Sequence, residues 1–597
     1  MVDTPKIAWD LSSIFKGFDD PEINKTIDTA LKKAESIEKN YKGKIDTDSV
    51  TPKDILKLLQ LYEEVLLLVD DLLRYSRLAV SADSTNEQAQ KLYNTYQTTN
   101  SRINGKLAFI TIELGNLLSK KGESFLNSQV LAHYKQYLVR IVLAHPHILS
   151  EAEEQLIIEK DQYGIDQWYD LEQAWVSTRQ FKLNIKGEEK TVPYVEARAF
   201  FQDTDREIRK ESMTKVLGTL AKDSSLFSTC LRNICGDHVT VSKRRKYPTT
   251  LTESLIDNDL TEEIVRNMLT AIEKNVDICR ELYLLKAKVL GTEKLLGEDI
   301  IAPVPVKTPR DIPWEEAKSM VIGAYAEFDE EFGSIAEYLF DNNRIDGSPR
   351  HGKRAGAFCS PWYNGKGAFV FLTYNGKLDD VGALAHEIGH AIQAHKTTAN
   401  QKFVVHMPSF ALAETASEFG TMIITEKLLK KSDPDTKIYL LFNVLENLSV
   451  SIFNTCMGFR FEESLYNTLE KGEYLNEEKI SKLLVKARTK YYGDTVEYLP
   501  EQEYVWTYVP HYYIPRFRYY NYLYAVGELI VLSLYAKYLE EGKTFIPKYK
   551  ALLAAGGSRT PEEQLKMLGF DITSPEFWEM GLKEVRRLLD ELKSLLG

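Results

Sequence analysis

The sequence contains few cysteines, and they do not follow the spacings of a disulfide framework or a cysteine-based metal module. Its 597 residues include only five, an odd number, and no two are spaced as C-x-x-C. This composition indicates reduced thiols in a cytoplasmic protein. The N-terminus lacks the basic and then apolar pattern of a signal peptide. No stretch of about 18 uninterrupted apolar residues predicts a membrane helix, so we expect no membrane partner.

An excess of positive charge is also missing. The formal net charge is −12, whereas binding to phosphate backbones requires a basic face. We therefore expect no nucleic-acid partner, and we interpret the densest basic run, residues 243–246, as solvated surface. The hydrophobic share of 44% and the charged share of 27% are those of an ordinary globular protein.

Helical periodicity dominates the first third of the chain. Leucines spaced by three and four residues follow a Thr51-Pro52 start signal, and similar segments continue to about residue 178. At this length more than one domain is expected. We predict an N-terminal helical domain over residues 1–195 and a second domain over residues 196–597.

Two short segments predict strands. The first, "FKLNIKGEEKTVPY", alternates apolar residues around a turn at Lys186-Gly187 and predicts a hairpin. The second, "GAFVFLTYNGKLDD", contains the turn dipeptide Asn375-Gly376, and either Asp379 or Asp380 is suited to cap a following helix. The predicted order is therefore strand, turn and capped helix.

The helix that follows contains His386-Glu387-x-x-His390. Residues four apart lie on one helix face, so both imidazoles can reach one metal ion, and Glu387 projects to the side, where it can accept a proton from water. The alternative is an amphipathic helix that carries two histidines by chance.

A third ligand would distinguish these alternatives, because a catalytic zinc takes three protein groups. A histidine-rich extension is excluded, since Gln393 and Lys396 occupy the positions where such a motif has glycine and histidine. Glu414 lies in an apolar, small-residue segment, where a charge is costly unless it is paired or coordinated. We favour Glu414 as the ligand. Glu418, one turn later, would support the site by accepting a hydrogen bond from one of the histidines. The alternative is that both carboxylates face solvent.

A third cluster surrounds His511. Seven tyrosines lie between residues 508 and 524. Buried tyrosine hydroxyls need partners, and a row of them beside a histidine can bind an oxyanion. The alternative is a layer of aromatic packing, which for any single tyrosine is the simpler interpretation.

Five segments in order resemble oligoendopeptidase F, within the thimet-oligopeptidase-like zinc peptidases. They are "KRAGAFCSP", "LDDVGALAHEIGHAIQAH", "LAETASEFG", "VPHYYIPRFRYYNY" and "AAGGSRTPEEQLKMLGFDITSPEFW". The resemblance covers most of the chain from about residue 180 and, more loosely, the helical part before it. It implies a mainly α-helical, two-lobed zincin-type peptidase with a small sheet beside the motif helix and a deep central cleft.

The resemblance also implies the roles of individual residues. His386, His390 and Glu414 would bind one zinc ion per chain, and Glu387 would be the general base. Contacts to the transition state would come from His511 and Tyr520, with Tyr513 and Tyr522 nearby to bind substrate. Two departures are Gln393, where the family often has another histidine, and Arg518, where a tyrosine or another neutral residue is common.

These observations predict a zinc endopeptidase that hydrolyses internal bonds of short unstructured oligopeptides. An edge strand over residues 367–373, beginning with Gly367, Ala368 and Phe369, could pair with the substrate backbone. One alternative is a zinc carboxypeptidase, which would need a basic residue for the substrate's terminal carboxylate. Another is a silent peptide-binding protein, which usually would have lost Glu387 or a ligand. The sequence defines no oligomeric state.

Overall fold

A computed structural model describes residues 7–307 and 309–597, which form two compact units built from alternating parts of the chain. The first unit comprises Met1–His145, Pro309–Lys431 and Leu534–Asp571, and the second comprises Pro146–Thr308, Ser432–Ser533 and Ile572–Gly597. Neither unit ends at residue 195. The expected division of roles at that residue, with 1–195 walling a cleft, stays a prediction.

Helices dominate both units, which confirms the mainly α-helical fold. Those of the first third of the chain are α1 Pro21–Tyr41, α2 Pro52–Ala82, α3 Glu87–Leu107, α4 Phe109–Leu126, α5 Lys135–Ala144, α6 Glu151–Tyr163, α7 Ile165–Ser177 and α8 Tyr194–Ala199. They are followed by α9 Arg206–Lys222, α10 Ser224–Arg244, α11 Thr252–Asp257, α12 Glu262–Lys274, α13 Val276–Val289, α14 Trp314–Phe328, α15 Glu330–Asp341 and α16 Leu378–Asn400. The remaining helices are α17 Phe410–Ala413, α18 Thr415–Lys431, α19 Pro434–Leu448, α20 Thr455–Glu470, α21 Glu477–Tyr492, α22 Tyr522–Glu541, α23 Ile546–Ala555, α24 Pro561–Lys566 and α25 Pro575–Leu596.

Seven short strands form three small sheets within the described residues. They are β1 Gln180–Ile185, β2 Glu188–Pro193, β3 Leu295–Leu296, β4 Ile345–Asp346, β5 Phe358–Trp362, β6 Gly367–Phe371 and β7 Val496–Glu497. The predicted hairpin is present, because β1 pairs antiparallel with β2, and Lys186 and Gly187 both adopt the positive φ that such a two-residue turn requires. β3 pairs with β7 in the second unit.

The first unit packs its N-terminal helices and its three-stranded sheet around α16. α2 lies against β5, where the Trp362 indole donates to Asp71 of α2 at 2.7 Å. α16 is in turn covered by β5, β6, α18 and α23. The N-terminal helices therefore belong to the same packed body as the helix that carries the histidine motif.

The sheet beside α16 has the order β4-β6-β5, so β6 is its central strand. β6 pairs antiparallel with β5 and parallel with β4, and all five of its residues are buried. This corrects the prediction that residues 367–373 form an edge strand. The error arose because β4 is only two residues long and lies more than twenty residues earlier in the chain.

Two helical stretches are long and apolar enough to cross a membrane, Pro434–Glu470 and Tyr522–Thr544. Of the most apolar window in each, 56% and 67% of the residues are buried inside the protein. Burial in a protein core accounts for that composition, so these helices are weak evidence for a membrane span.

Candidate metal centre

The start of α16 is fixed by the turn that follows β6. Gly376 adopts a φ of 85°, and the Asp380 carboxylate accepts from the backbone N–H of Asn375 at 2.7 Å and of Lys377 at 3.0 Å. Asp380 is thus the third residue of the helix, and its side chain caps the N-terminus of the helix. One of the two predicted capping aspartates is confirmed, and the strand, turn and helix occur in the predicted order.

His386 and His390 lie one turn apart on α16, and their rings are 4.9 Å apart and nearly perpendicular. The third member of the cluster, Glu414, lies where α17 ends and α18 begins. Its Oε2 atom is 3.4 Å from Nε2 of His386 and 3.3 Å from Nε2 of His390. The structure thus brings together the three residues that the sequence predicts as ligands.

Gly389, between the two histidines, allows α18 to approach α16 closely. A Cβ atom at this position would lie 2.4 Å from the carbonyl oxygen of Ala416, which is backbone and cannot move aside cheaply. The Ser417 hydroxyl then donates to Oε2 of Glu414 at 2.7 Å and orients the carboxylate. Sequence reasoning missed both residues, although a glycine inside a helix is a signal of close packing.

This arrangement fits a tetrahedral metal ion. The three ligand atoms lie within 4.8 Å of one another. Separations of 3.3 and 3.4 Å between nitrogen and oxygen are longer than a charge-assisted hydrogen bond of about 2.7–2.9 Å. They match the edge of a tetrahedron, about 3.3 Å, whose centre binds its ligands at about 2.0–2.1 Å. Two imidazoles and a carboxylate are also a donor set of catalytic zinc.

The charges of the cluster are strongly coupled. Burial alone lowers the pKa of His386, but the carboxylates of Glu414 and Glu418 outweigh this and raise it to about 11. Burial raises the pKa of Glu414, and the two histidines more than reverse that effect and hold it well below its usual range. The site therefore favours positive charge between these groups, as a cation-binding site must.

Glu418 fixes the orientation of His386. Its Oε1 lies 3.3 Å from Nδ1 of His386, and Nε2 on the other side of the ring faces Glu414. With Nδ1–H directed to Glu418, Nε2 would be the nitrogen that binds a metal ion. This is the geometry in which a carboxylate holds a metal-binding imidazole in the correct tautomer. This contact agrees with the prediction that Glu418 supports a histidine of the cluster.

Glu387, the candidate general base, is 5% exposed, and its Oε2 atom is buried without a hydrogen-bond partner among the described residues. Burial raises the pKa of this carboxyl, while His386 and His390 oppose the rise. An unpaired buried carboxylate oxygen is costly in a folded protein, and such groups occur where a reaction uses them.

A pocket of about 370 Å³ opens at the cluster. It is lined by α16, by the loop and turn around Glu414, and by residues of and beside β5: Ala357, Phe358, Cys359, Pro361, His386, Glu387, His390, Gln393, Ala394, Thr397, Met407, Pro408, Ala413 and Glu414. The strand that borders the site is therefore β5, which is at the sheet edge, and not β6.

The structure does not support Gly367, Ala368 and Phe369 as substrate-binding residues. All three are buried in the central strand, and a side chain at Gly367 would collide with the ring of His395, 2.9 Å from Nε2. β5 pairs with all five residues of this strand, and β4 pairs with Val370 and Phe371. The pocket is lined by the neighbouring strand β5 of the same sheet.

The aromatic cluster belongs to the second unit and divides into two groups. Tyr513 and Tyr522 are fully buried, and the Tyr522 hydroxyl lies 3.2 Å from that of Ser254. They pack the interior, so the prediction that they bind substrate is not supported. His511 and Tyr520 are half-buried and their rings are stacked 6.0 Å apart, and their role in the transition state stays a prediction.

Together the helical fold, the two-histidine helix and the downstream glutamate define a helical metallopeptidase. A model of peptidase family M3 matches residues 199–584, and a model named oligopeptidase F matches residues 113–181. The chain belongs to peptidase family M3.

The alignments with the following similar proteins cover nearly the whole chain. The chain is 26% identical over 594 residues to oligopeptidase PepF of Bacillus subtilis (strain 168), covering 99% of this chain and 87% of that one. Among solved structures, a protein from Chlamydophila abortus has a TM-score of 0.86 at 22% identity, covering 99% and 98% of the two chains. Oligoendopeptidase-F from Enterococcus faecium has a TM-score of 0.70 at 23% identity, covering 98% and 99%. These structures confirm the fold.

Proposed function

We propose that this protein is a zinc endopeptidase that hydrolyses internal bonds of short, unstructured oligopeptides in the cytoplasm. The observation that carries the proposal is the convergence of His386, His390 and Glu414 at the spacing of a tetrahedral ion. Glu387 lies beside them, and its Oε2 atom has no hydrogen-bond partner among the described residues. Membership of family M3 and the names of the similar oligopeptidases support the substrate class.

The three ligands would hold one zinc ion, which would supply Lewis acidity to the reaction. Glu387 would accept a proton from the attacking water and then deliver it to the nitrogen of the leaving amine. Its raised pKa suits both steps, because a carboxyl with a higher proton affinity is the stronger base. The family resemblance assigns His511 and Tyr520 as donors to the developing oxyanion.

Endopeptidase activity is favoured over carboxypeptidase activity by the chemistry of the pocket. A carboxypeptidase needs a basic group for the terminal carboxylate of its substrate, yet no lysine or arginine is among the described residues that line the pocket. A silent peptide-binding role is disfavoured because all three ligands and Glu387 are present.

The test uses a peptide blocked at both ends, so that only an endopeptidase can cleave it. Zinc content and turnover are measured for the parent, Glu387→Gln and His390→Ala. Glu387→Gln should retain about one zinc ion per chain and lose about 10²–10⁴-fold in kcat, because the amide cannot accept the proton. His390→Ala should lose the zinc itself. Cleavage of free-ended peptides only, or full activity after removal of all metal, would overturn the proposal.

A second comparison tests the substrate class. One cleavable sequence is presented as a short peptide, within a long disordered chain and within a stable domain. A folded substrate must open locally before its backbone can enter a site, so the stable domain should be cleaved slowest. Equal rates for all three would contradict selectivity for short unstructured peptides.

A further inference from the structure

Arg518 is a buried cation at the centre of the loop that carries His511. Its side chain donates from Nη2 to the carbonyl oxygens of His511 at 3.1 Å and Ile514 at 2.6 Å, and from Nη1 to that of Tyr512 at 3.0 Å. Arg518 itself is 7% exposed. A planar guanidinium can reach several acceptors at once because its five donors have fixed directions. One side chain thus ties together three carbonyls around the turn at Pro510–Tyr512.

The counter-charge comes from α20. Glu462 is 1% exposed and lies in the same buried network as Arg518. Its Oε1 accepts from the Tyr466 hydroxyl at 2.6 Å, and that hydroxyl lies 3.4 Å from Nη1 of Arg518. Two buried charges are costly unless they are hydrogen-bonded. Loss of any one of Glu462, Tyr466 and Arg518 would therefore weaken the contacts of the other two.

Glu462 also fixes the backbone between Arg518 and Tyr520. Its Oε1 accepts from the backbone N–H of Tyr519 at 2.9 Å, and Tyr519 adopts a φ of +51°, a left-handed conformation that is strained for a bulky residue. The chain reverses at this residue, so that Arg518 and Tyr519 are buried while Tyr520 is half-buried.

The other side of the loop presents a stack of rings. Tyr520 lies 4.5 Å from Phe517 at an angle of 14°, and 6.0 Å from His511 at 19°. His511 and Tyr520 therefore have parallel rings on a loop whose interior is tied to Arg518 and Glu462. The two residues proposed to contact the oxyanion thus depend on the same buried ion network for their backbone positions.

We propose that Arg518, with Glu462 and Tyr466, is a positioning residue that holds His511 and Tyr520 in the geometry required to stabilise the transition state. The inference rests on the proposed function of those two residues. Arg518 touches backbone carbonyls and a tyrosine hydroxyl of its own unit and acts only through the loop.

The experiment compares Arg518→Met with Arg516→Met, the same substitution at an exposed arginine of the same loop. Zinc content and thermal unfolding are measured first, then kcat and KM on a blocked peptide, and then hydrogen exchange of residues 509–521. Arg518→Met should lower kcat by about 10²-fold, the cost of a misplacement of about 1 Å, with KM changed much less. Exchange of the loop should accelerate while the zinc content stays at the parent value. Arg516→Met should behave like the parent.

Two further variants separate positioning from bulk stability. Arg518→Lys keeps the charge but not the fork of donors, so its kcat should lie between those of the parent and Arg518→Met. Combining Arg518→Met with Tyr520→Phe should cost less than about threefold beyond Tyr520→Phe alone, because residues that act through one another are not additive. If Arg518→Met does not fold, Arg518→Lys and Tyr466→Phe provide the same comparison.

The outcomes distinguish this proposal from the one on which it rests. An unchanged kcat and unchanged loop exchange in Arg518→Met, with Tyr520→Phe impaired, would overturn the positioning role alone. Fully additive losses in the double variant would also overturn it. Faster loop exchange without any loss of kcat in Arg518→Met or Tyr520→Phe would show that the network holds the loop but that His511 and Tyr520 do not serve the reaction.

Discussion

Replacement of Glu418 tests how the metal centre is built, because this carboxylate contacts a ligand and is not one of the three ligands. Its Oε1 lies 3.3 Å from Nδ1 of His386 and so keeps Nε2 facing Glu414. In Glu418→Ala the imidazole loses this orienting partner and part of its basicity. Loss of such a partner weakens metal binding by about 10–100-fold, which corresponds to about 1.4–2.7 kcal/mol.

The zinc dissociation constant is measured by competition with a chelator of known affinity at constant pH. Glu418→Gln keeps an acceptor oxygen but not the charge, so its affinity should lie between the parent and Glu418→Ala. Glu426→Gln, a change about two turns further along the same helix, is the matched control and should bind zinc like the parent. At saturating zinc, turnover of Glu418→Ala should return close to the parent value. An unchanged dissociation constant in Glu418→Ala would refute the orienting role of this contact.

Three further predictions concern stability. Gly389→Ala should lower both the unfolding temperature and the zinc content, because its Cβ would lie 2.4 Å from a carbonyl oxygen of the neighbouring helix; parent-like values would contradict the close approach. Asp346→Asn leaves the buried Lys353, 2.7 Å away, without its counter-ion and should cost about 3–5 kcal/mol in urea unfolding, whereas Glu478→Gln, in an exposed pair, should unfold like the parent. Burial lowers the pKa of His238 to about 4, so the stability that its neutral form contributes is lost as the pH falls from about 6.5 towards 4. Between pH 7 and pH 5 this loss should be about 2 kcal/mol, and it should be absent in His238→Asn.

The local features that the sequence predicts are those set by residues close together in the chain. The hairpin forms because Lys186 and Gly187 can both adopt a positive φ, and α16 begins where Asp380 can close on the preceding turn. The same is true of the spacing of His386 and His390 on one helix face. Each depends on a few neighbouring residues, and so each was predictable.

Features that depend on distant segments were not predictable from one sequence. β6 is central because a two-residue strand, β4, pairs with it from an earlier part of the chain. Tyr513 and Tyr522 differ in exposure from Tyr520 although they have the same side chain and lie in the same segment. The positive φ of Tyr519, between buried Arg518 and half-buried Tyr520, has no local signature because tyrosine rarely adopts it.

The interleaved course of the chain has a consequence for the order in which the enzyme can be made. The first unit contains Leu534–Asp571, and α23 in that segment packs directly against the helix that carries His386 and His390. During synthesis from the N-terminus, the candidate metal ligands are therefore translated long before this helix has all its neighbours. A chain that stops early, or one divided at residue 195, lacks part of its packing. The packing around this helix is thereby completed only when almost the whole polypeptide has been made.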